Sequence, residues 1–463
     1  MAVTGRRRSR LFFRTFPGVG CLLVPTLHRF SEKGLRILAA PENSRITVRL
    51  EDYLLQKLRS STALTRLIRQ PEIKRAQQGT LYTPREILQQ PWTWLETARR
   101  IAAQAQDLSR FLKRALGART AFGEWGRLVL VGAGTSDYIG KSVLWLLRRR
   151  LQTEVLAVPS TDILTNYADV FVNRVPCLMV SFSRSGESPE GVETIEVARR
   201  NFPSVSHLVV TCNQDGKMAQ SGSGRNDSYV LVLNEAVHDK GLAMTSSYSN
   251  MVVAGLALGY LNEMRTFQRQ IKLLSAAGEK IFSKYADLAS RLSRRGFKRF
   301  CFLGTGNLSG AALEAQLKLR ELTDGKLVTF SESFLGLRHG PLSGIDRETL
   351  LVGFLSTDLQ KQRYELDLLK EIKSKRIGST QCVVCERIPD GQKALAHHWI
   401  EFRSPGRGGL LDEFRPPLDV LFGQLLGVFS SLRCGLRPDQ PSRRGVISRV
   451  VQGVKIYTDE RLE

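Results

Sequence analysis

The sequence has 463 residues, of which 42 % are hydrophobic and 24 % charged, a length that predicts roughly three units of about 150 residues. No uninterrupted apolar run approaches the roughly 20 residues of a membrane-spanning helix, which argues against a membrane protein. The net charge of +24 is uneven, because residues 1–120 hold 23 Lys and Arg against 8 Asp and Glu. A basic chain could bind nucleic acid or acidic membranes. The surplus of the remaining chain suits an anionic small substrate instead, and a merely solvated surface is the alternative.

Residues 1–49 are predicted to be a basic, disordered arm. The first 30 residues include six Arg and no acidic residue. Arg14 and Pro17 interrupt the apolar run that a secretory signal needs, and no small-residue cleavage site follows. The segment is then either a disordered arm or a stretch translated from an upstream start. Because no secretory signal is indicated, we expect a cytoplasmic protein.

Residues 50–118 have a helical pattern and are predicted to be helices packed on the main body. Thr83 is placed as an N-cap, with Pro84 at the first helical position and Glu86 three residues after the cap. Pro91 then breaks the run, and a second helix is expected from Trp92.

A strand–glycine-turn–helix motif occurs twice. An apolar run ends in Gly-x-Gly at residues 127–136 and again at residues 299–308, and the two copies are offset by 172 residues. Each copy reads as a buried strand, a tight turn and a helix N-terminus. Such a turn binds anions, because free N–H groups and the positive end of the helix dipole point into it.

Apolar runs alternate with helix-like stretches on both sides of the second motif, which indicates parallel sheets with crossover helices. The predicted strands lie at 127–131, 155–158, 177–182, 207–211 and 229–233, and again at 299–303, 327–330, 349–355 and 382–384. We therefore predict an α/β fold with two doubly wound domains, at about 119–270 and 285–455.

Three hydroxyls crowd the turn after the third predicted strand, at Ser183, Ser185 and Ser188. Gly186 permits close backbone approach, and Ser188 followed by Pro189 suits a helix start. The serines could simply cap that helix, but three of them at a strand's carboxyl end favour a phosphate site. Arg184 or the helix end would supply charge. Residues of the first glycine turn should face the same crevice: Gly134, Thr135 and Ser136.

The sequence gives no sign of a cofactor or a metal. A dinucleotide fingerprint would need a third glycine where Asp137 stands, so nicotinamide binding is not expected. Cys382 and Cys385 form a C-x-x-C pair, but a zinc site needs more ligands. The two Val residues between them indicate a core strand, and seven scattered cysteines do not suggest a disulfide framework.

The motifs G-x-G-T-S and S-x-S-G-E-S resemble those of the sugar isomerase (SIS) domain, and their arrangement resembles the isomerase half of glucosamine-6-phosphate synthase. A closer resemblance is to the tagatose-6-phosphate ketose/aldose isomerase group, also described as galactosamine-6-phosphate deaminase/isomerase. Four segments carry it: 83–91, 242–247, 331–341 and 449–454. The resemblance spans about residues 77–457 and implies two SIS domains in tandem. It also implies substrate contacts from Ala243, Thr245 and Gln452.

The second half holds acid–base candidates. Glu314, Lys318 and Glu321 share one helix face, and Glu321 could equally form a surface ion pair with Lys318. His339 lies at a chain reversal, where a lone His is usually structural. The resemblance instead implies that Glu321 moves a proton during isomerisation and that His339 opens the sugar ring. It further implies that His339 reaches the neighbouring subunit's active site in a homodimer.

Two departures from the synthase bear on the reaction. Ala2 stands where the synthase has its nucleophilic cysteine, so no glutaminase domain is expected. Its C-terminal substrate lysine has no clear counterpart, because Gln452 falls near that place and Lys455 just beyond. Without a glutaminase we expect release of ammonia, converting galactosamine 6-phosphate to tagatose 6-phosphate. The alternatives are a ketose/aldose isomerase of hexose phosphates and a sugar-phosphate-sensing regulator that binds DNA through its basic helices.

Overall fold

Two parallel five-stranded sheets, flanked by helices, form the body of the protein, as the alternating apolar runs predict. The computed structural model describes residues 41–117, 126–171, 175–405, 408–451 and 453–457, with the backbone alone for 41–48. The predicted arm therefore lies outside the described residues up to residue 40. The strands are β1 Arg127–Gly132, β2 Val155–Pro159, β3 Cys177–Ser183, β4 Val205–Thr211, β5 Ser228–Val232, β6 Arg299–Leu303, β7 Val328–Glu332, β8 Thr349–Phe354, β9 Thr380–Cys385 and β10 His398–Glu401.

Helices cover both sheets and form the region before the first strand. They are α1 Pro41–Lys57, α2 Ala63–Ile68, α3 Glu72–Gln78, α4 Thr83–Leu88, α5 Gln90–Leu116, α6 Thr135–Leu151, α7 Ser160–Val170, α8 Pro189–Asn201, α9 Lys217–Gly222, α10 Ser246–Leu258, α11 Met264–Arg294, α12 Asn307–Leu322, α13 Leu359–Ser374 and α14 Pro416–Arg433. Within the described ranges, no helix is long and apolar enough to cross a bilayer.

The two sheets have the same strand order. The first runs β2-β1-β3-β4-β5 and the second β7-β6-β8-β9-β10, with every neighbouring pair parallel. The order reverses between β1 and β3, and likewise between β6 and β8. Ligands of doubly wound sheets bind at the carboxyl ends of the strands at such a reversal.

The two glycine turns have the same backbone conformation. Gly134 has φ 55° and ψ −120°, and Gly306 has φ 62° and ψ −127°, a region that favours glycine. Helices α6 and α12 begin directly after these turns and cross at Gly310, where an added Cβ would lie 2.3 Å from Oγ of Ser142. The two repeats therefore bring their turn helices into direct contact.

Helix α4 begins at Thr83 itself, whereas an N-cap at Thr83 would place the first helical residue at Pro84. The prediction of Thr83 as N-cap is therefore wrong. Tyr82 occupies the N-cap. The carboxylate of Asp439 accepts hydrogen bonds from the backbone N–H of Leu81, at 2.7 Å, and of Thr83, at 2.8 Å. A long-range carboxylate thus replaces the local cap. The next helix starts at Gln90 rather than Trp92, with Pro91 tolerated in its first turn.

The C-x-x-C pair lies in strand β9, as its apolar spacing predicts. Cys382 and Cys385 are both buried. Burial raises the pKa of the Cys385 thiol to about 12, which keeps it protonated and unreactive near neutral pH. Both thiols therefore serve as small core side chains.

Candidate active site

A cavity of about 130 Å³ lies at the carboxyl ends of β1 and β3 in the first sheet. That volume is large enough to admit an anion of the size of a phosphoryl group. The lining includes Ser136, Ser183, Arg184, Ser185, Ser188, Met218, Met244, Arg449, Val450 and Val451. We call this cavity the serine pocket.

Each of the three turn serines accepts a hydrogen bond from a backbone N–H three or two residues further on. Ser183 accepts from Gly186 at 3.0 Å, Ser185 from Glu187 at 3.2 Å, and Ser188 from Gly191 at 3.3 Å. The capping role considered for them is therefore present at Ser188. Because a hydroxyl can accept and donate at once, each one keeps a proton to offer an anion.

The side chain of Arg184 is bound to backbone carbonyls around the serine pocket. It is 5 % exposed, and its guanidinium donates to the carbonyls of Gly241 at 3.2 Å, Leu242 at 3.0 Å, and Arg449. Burial lowers its pKa, and the nearby carboxylate of Asp239 opposes that effect.

Thr135 links the first glycine turn to the second repeat instead of lining the serine pocket. Its hydroxyl lies 2.9 Å from Nζ of Lys318 and 3.4 Å from a carboxylate oxygen of Glu314. Lys318 also forms ion pairs with Glu314, at 3.4 Å, and with Glu321. The buried ammonium of Lys318 therefore joins the two repeats at Thr135, the residue before Ser136.

The ion pair between Lys318 and Glu321 exists, but it is not a surface pair. The side chain of Lys318 is fully buried, whereas that of Glu321 is 24 % exposed. Burial raises the pKa of Glu314 to about 8, with repulsion from Glu321 adding to it and Lys318 opposing it. The two glutamates raise the pKa of Lys318. The cluster thus combines a buried carboxyl of raised pKa, a buried ammonium and a partly exposed carboxylate.

His339 lies on the surface of the chain and is not among the residues lining the serine pocket. It follows a 3₁₀ turn at Gly336–Arg338, and Gly340 after it has φ 117°, a value that requires glycine. The structure thus places His339 at a chain reversal, as its sequence context predicts.

The remaining candidates lie in different environments. Ala243 and Thr245 are buried, while Met244 between them lines the serine pocket. The Thr245 N–H donates to Asp239 at 2.7 Å. Gln452 lies outside the described residues.

At the equivalent edge of the second sheet, the turn after β8 donates hydrogen bonds to one of the chain's own carboxylates. After β8, the backbone N–H and the hydroxyl of Thr357 each lie 2.9 Å from Oδ1 of Asp412, and the Ser356 hydroxyl bonds to the same side chain. Asp358 caps α13 there as Ser188 caps α8. The second repeat therefore keeps the turn but supplies an internal anion to it.

Sequence reasoning missed two groups as site residues. Lys318 was placed on the face of Glu321 by its spacing, yet nothing local indicated that this face packs against the first glycine turn. Arg449 lies in a segment that carried the family resemblance, and its place at the serine pocket follows only from the path of the C-terminal chain.

Comparisons with known proteins agree with this architecture. The SIS domain family model matches residues 122–260. The D-galactosamine-6-phosphate deaminase AgaS of Escherichia coli is 33 % identical over 377 residues, covering 81 % of this chain and 95 % of that protein. Its counterpart in Shewanella sp. strain ANA-3 is 32 % identical, covering 82 % and 93 %. The crystal structure of tagatose-6-phosphate ketose/aldose isomerase from Escherichia coli has a TM-score of 0.73 at 32 % identity, covering 82 % of this chain and 97 % of that one.

Proposed function

We propose that this chain, which belongs to the SIS-domain family of D-galactosamine-6-phosphate deaminases, converts galactosamine 6-phosphate to tagatose 6-phosphate and ammonia. The observation that carries the proposal is one continuous set of contacts. It runs from the serine pocket through Ser136 and Thr135 to Lys318 and Glu321. A phosphate-binding end and an acid–base end thus meet at the junction of the two repeats.

In this proposal Ser136, Ser183, Ser185 and Ser188 bind the phosphate, and binding there positions the reacting carbons. His339 opens the sugar ring. Glu321 takes the proton from carbon 2 of the open amino aldose while the aldehyde oxygen gains a proton, which gives an enolamine. Glu321 then returns its proton to carbon 1 and the amine nitrogen loses one, which leaves an imine at carbon 2. Water then adds to that imine and ammonia leaves, so a ketose remains.

We also propose a cytoplasmic homodimer in which His339 completes the active site of the neighbouring subunit. The exposed position of His339, away from the serine pocket of its own chain, supports this arrangement. The domain limits 119–270 and 285–455 stay a proposal, as do the substrate contacts of Ala243, Thr245 and Gln452.

A plain ketose/aldose isomerase is the second candidate, since the Escherichia coli structure of similar fold carries that name. It would use the same pocket and the same proton transfer, but it would act on a substrate without an amine.

One assay separates the two functions. Purified protein is given galactosamine 6-phosphate, glucosamine 6-phosphate and galactose 6-phosphate, and ammonia and ketose are measured together. Equal amounts of ammonia and ketose from galactosamine 6-phosphate support the deaminase. Ketose formation from galactose 6-phosphate, with no ammonia from either amino sugar, would establish the plain isomerase instead.

A further inference from the structure

Arg184 stands inside the serine turn, yet its side chain reaches two distant segments of the chain. Its backbone lies between Ser183 and Ser185, two of the phosphate ligands proposed above. Its guanidinium donates to carbonyls 57, 58 and 265 residues away. One residue therefore joins the floor of the serine pocket to the chain that covers it.

That cover consists of residues 446–451, which we call the C-terminal strap. Arg449, Val450 and Val451 of the strap line the serine pocket. The strap is exposed apart from Arg449 and Val450, which are half-buried. A segment with so little buried surface depends on a few specific anchors to keep its position.

A second contact holds the strap, and in this one the strap supplies the hydrogen-bond donor. The Arg449 side chain donates two hydrogen bonds to the backbone carbonyl of Asp239, at 2.9 and 2.6 Å. The Asp239 carboxylate in turn accepts from the backbone N–H of Thr245, Ser246 and Ser247 at the start of α10. The strap is thereby fixed to a buried, hydrogen-bonded helix start.

The loop that shares Arg184 with the strap is held from its other side as well. Glu86 on α4 accepts from the backbone N–H of Lys240 at 2.5 Å and of Gly241 at 3.3 Å. The Leu242 N–H donates to the carbonyl of Asp439 at 2.9 Å. Glu86 and Asp439 therefore hold this loop independently of Arg184, which joins it to the more exposed strap.

We infer that Arg184 is a positioning residue that holds the C-terminal strap over the serine pocket, and that substrate phosphate binds tightly only beneath the held strap. The inference rests on the proposed function, because it assigns Arg184 an indirect part in phosphate binding. A planar guanidinium can serve several carbonyls at once, whereas a lysine ammonium of the same charge cannot reproduce that fork. The substitution R184K therefore keeps the positive charge and removes the three-carbonyl contact, which separates the two effects.

The test compares R184K, R184Q and R449Q in the full-length protein. Hydrogen exchange of residues 446–451 is followed with and without inorganic phosphate, and KM and kcat are measured with galactosamine 6-phosphate. We expect faster exchange of the strap in all three variants, with or without phosphate. KM should rise about tenfold in both Arg184 variants while kcat changes less than about threefold. The matched control is R199Q, which removes a largely buried arginine on α8 away from the strap.

Three results would overturn the inference. One is a wild-type KM in R184K, since retained charge alone would then suffice. Another is wild-type strap exchange in R184Q alongside faster exchange in R449Q, because the strap would then be held by Arg449 and not by Arg184. Wild-type exchange in both variants would equally overturn it. If the wild-type enzyme turns over no amino-sugar phosphate, the proposed function fails, yet the exchange measurement with inorganic phosphate still decides the role of Arg184.

Discussion

Nζ of Lys318 lies 2.9 Å from the hydroxyl of Thr135, although 183 residues separate them. Thr135 is the first residue of the helix that begins at the first glycine turn. Lys318 belongs to the equivalent helix of the second repeat, and its charge is balanced by Glu314 and Glu321. The repeat thus places the first glycine turn against the Glu314–Lys318–Glu321 cluster of the second copy.

Glu321→Gln tests the proposed base. The amide keeps a hydrogen-bonding group beside Lys318 but cannot accept the proton, so kcat should fall by about 10²- to 10⁴-fold with KM little changed. Steady-state ammonia release measures both parameters. Glu196→Gln, on the outer helix α8, is the control and should retain wild-type rates. A kcat within threefold of wild type in Glu321→Gln would remove this residue from the mechanism.

Ser185→Ala tests the serine pocket. The loss of one hydrogen bond to a charged group costs about 1.5–3 kcal/mol, so KM for galactosamine 6-phosphate should rise about 10- to 150-fold. Turnover of unphosphorylated galactosamine, where it can be measured, should not change. The exposed Ser204 provides the control substitution Ser204→Ala. Equal effects on the phosphorylated and unphosphorylated sugars would contradict a phosphate role.

His339→Asn and Glu321→Gln together test the shared site. Each homodimer should be inactive, because each lacks one of the two groups in both sites. After subunit exchange, roughly half of the dimers are mixed and each has one intact site, so about a quarter of the wild-type activity should return. If His339 acts within its own chain, mixed dimers contain no intact site and no activity returns.

His207 in β4 should limit stability in acid. Both ring nitrogens are buried, and neither has a partner among the described residues. Burial, aided by Arg199, lowers its pKa from 6.5 to about 4. Below pH 6.5 His207 binds a proton in the unfolded chain, whereas in the folded chain it stays neutral down to about pH 4. The free energy of unfolding therefore falls as the pH drops toward 4, by about 3 kcal/mol in all. Urea unfolding of His207→Leu at pH 7 and pH 4.5 should show a smaller difference than wild type.

The control for this measurement is Leu208→Val in the same strand, which perturbs the buried core without removing a titratable group. It should leave the difference between the two pH values as large as in the wild type. An unchanged difference in His207→Leu would show that another group governs the loss of stability in acid.

The sequence was sufficient for the fold because its main signals are local. Nine of the ten strands were placed by their apolar runs, and Ser188 and Pro189 start α8 as their types predict. Strand β10, at His398–Glu401, was missed because only four residues, two of them polar, carry it.

Long-range contacts were beyond the reach of such signals. Thr83 has the residue type of an N-cap, yet the carboxylate of Asp439 takes over that task from 356 residues away. Likewise, the spacing of Glu314, Lys318 and Glu321 predicts a shared helix face but cannot say whether that face meets solvent or the other repeat. The roles of the predicted site residues stay predictions.

The carboxylate of Asp412 has a consequence for the number of ligands that one polypeptide takes up. It already accepts the hydrogen bonds that the turn after β8 offers. An incoming anion would have to displace this carboxylate, whose effective concentration is very high because the chain tethers it. A calorimetric titration with inorganic phosphate should therefore saturate at one equivalent per polypeptide rather than two. Of the two equivalent turns, only the one after β3 is therefore expected to take up the added phosphate.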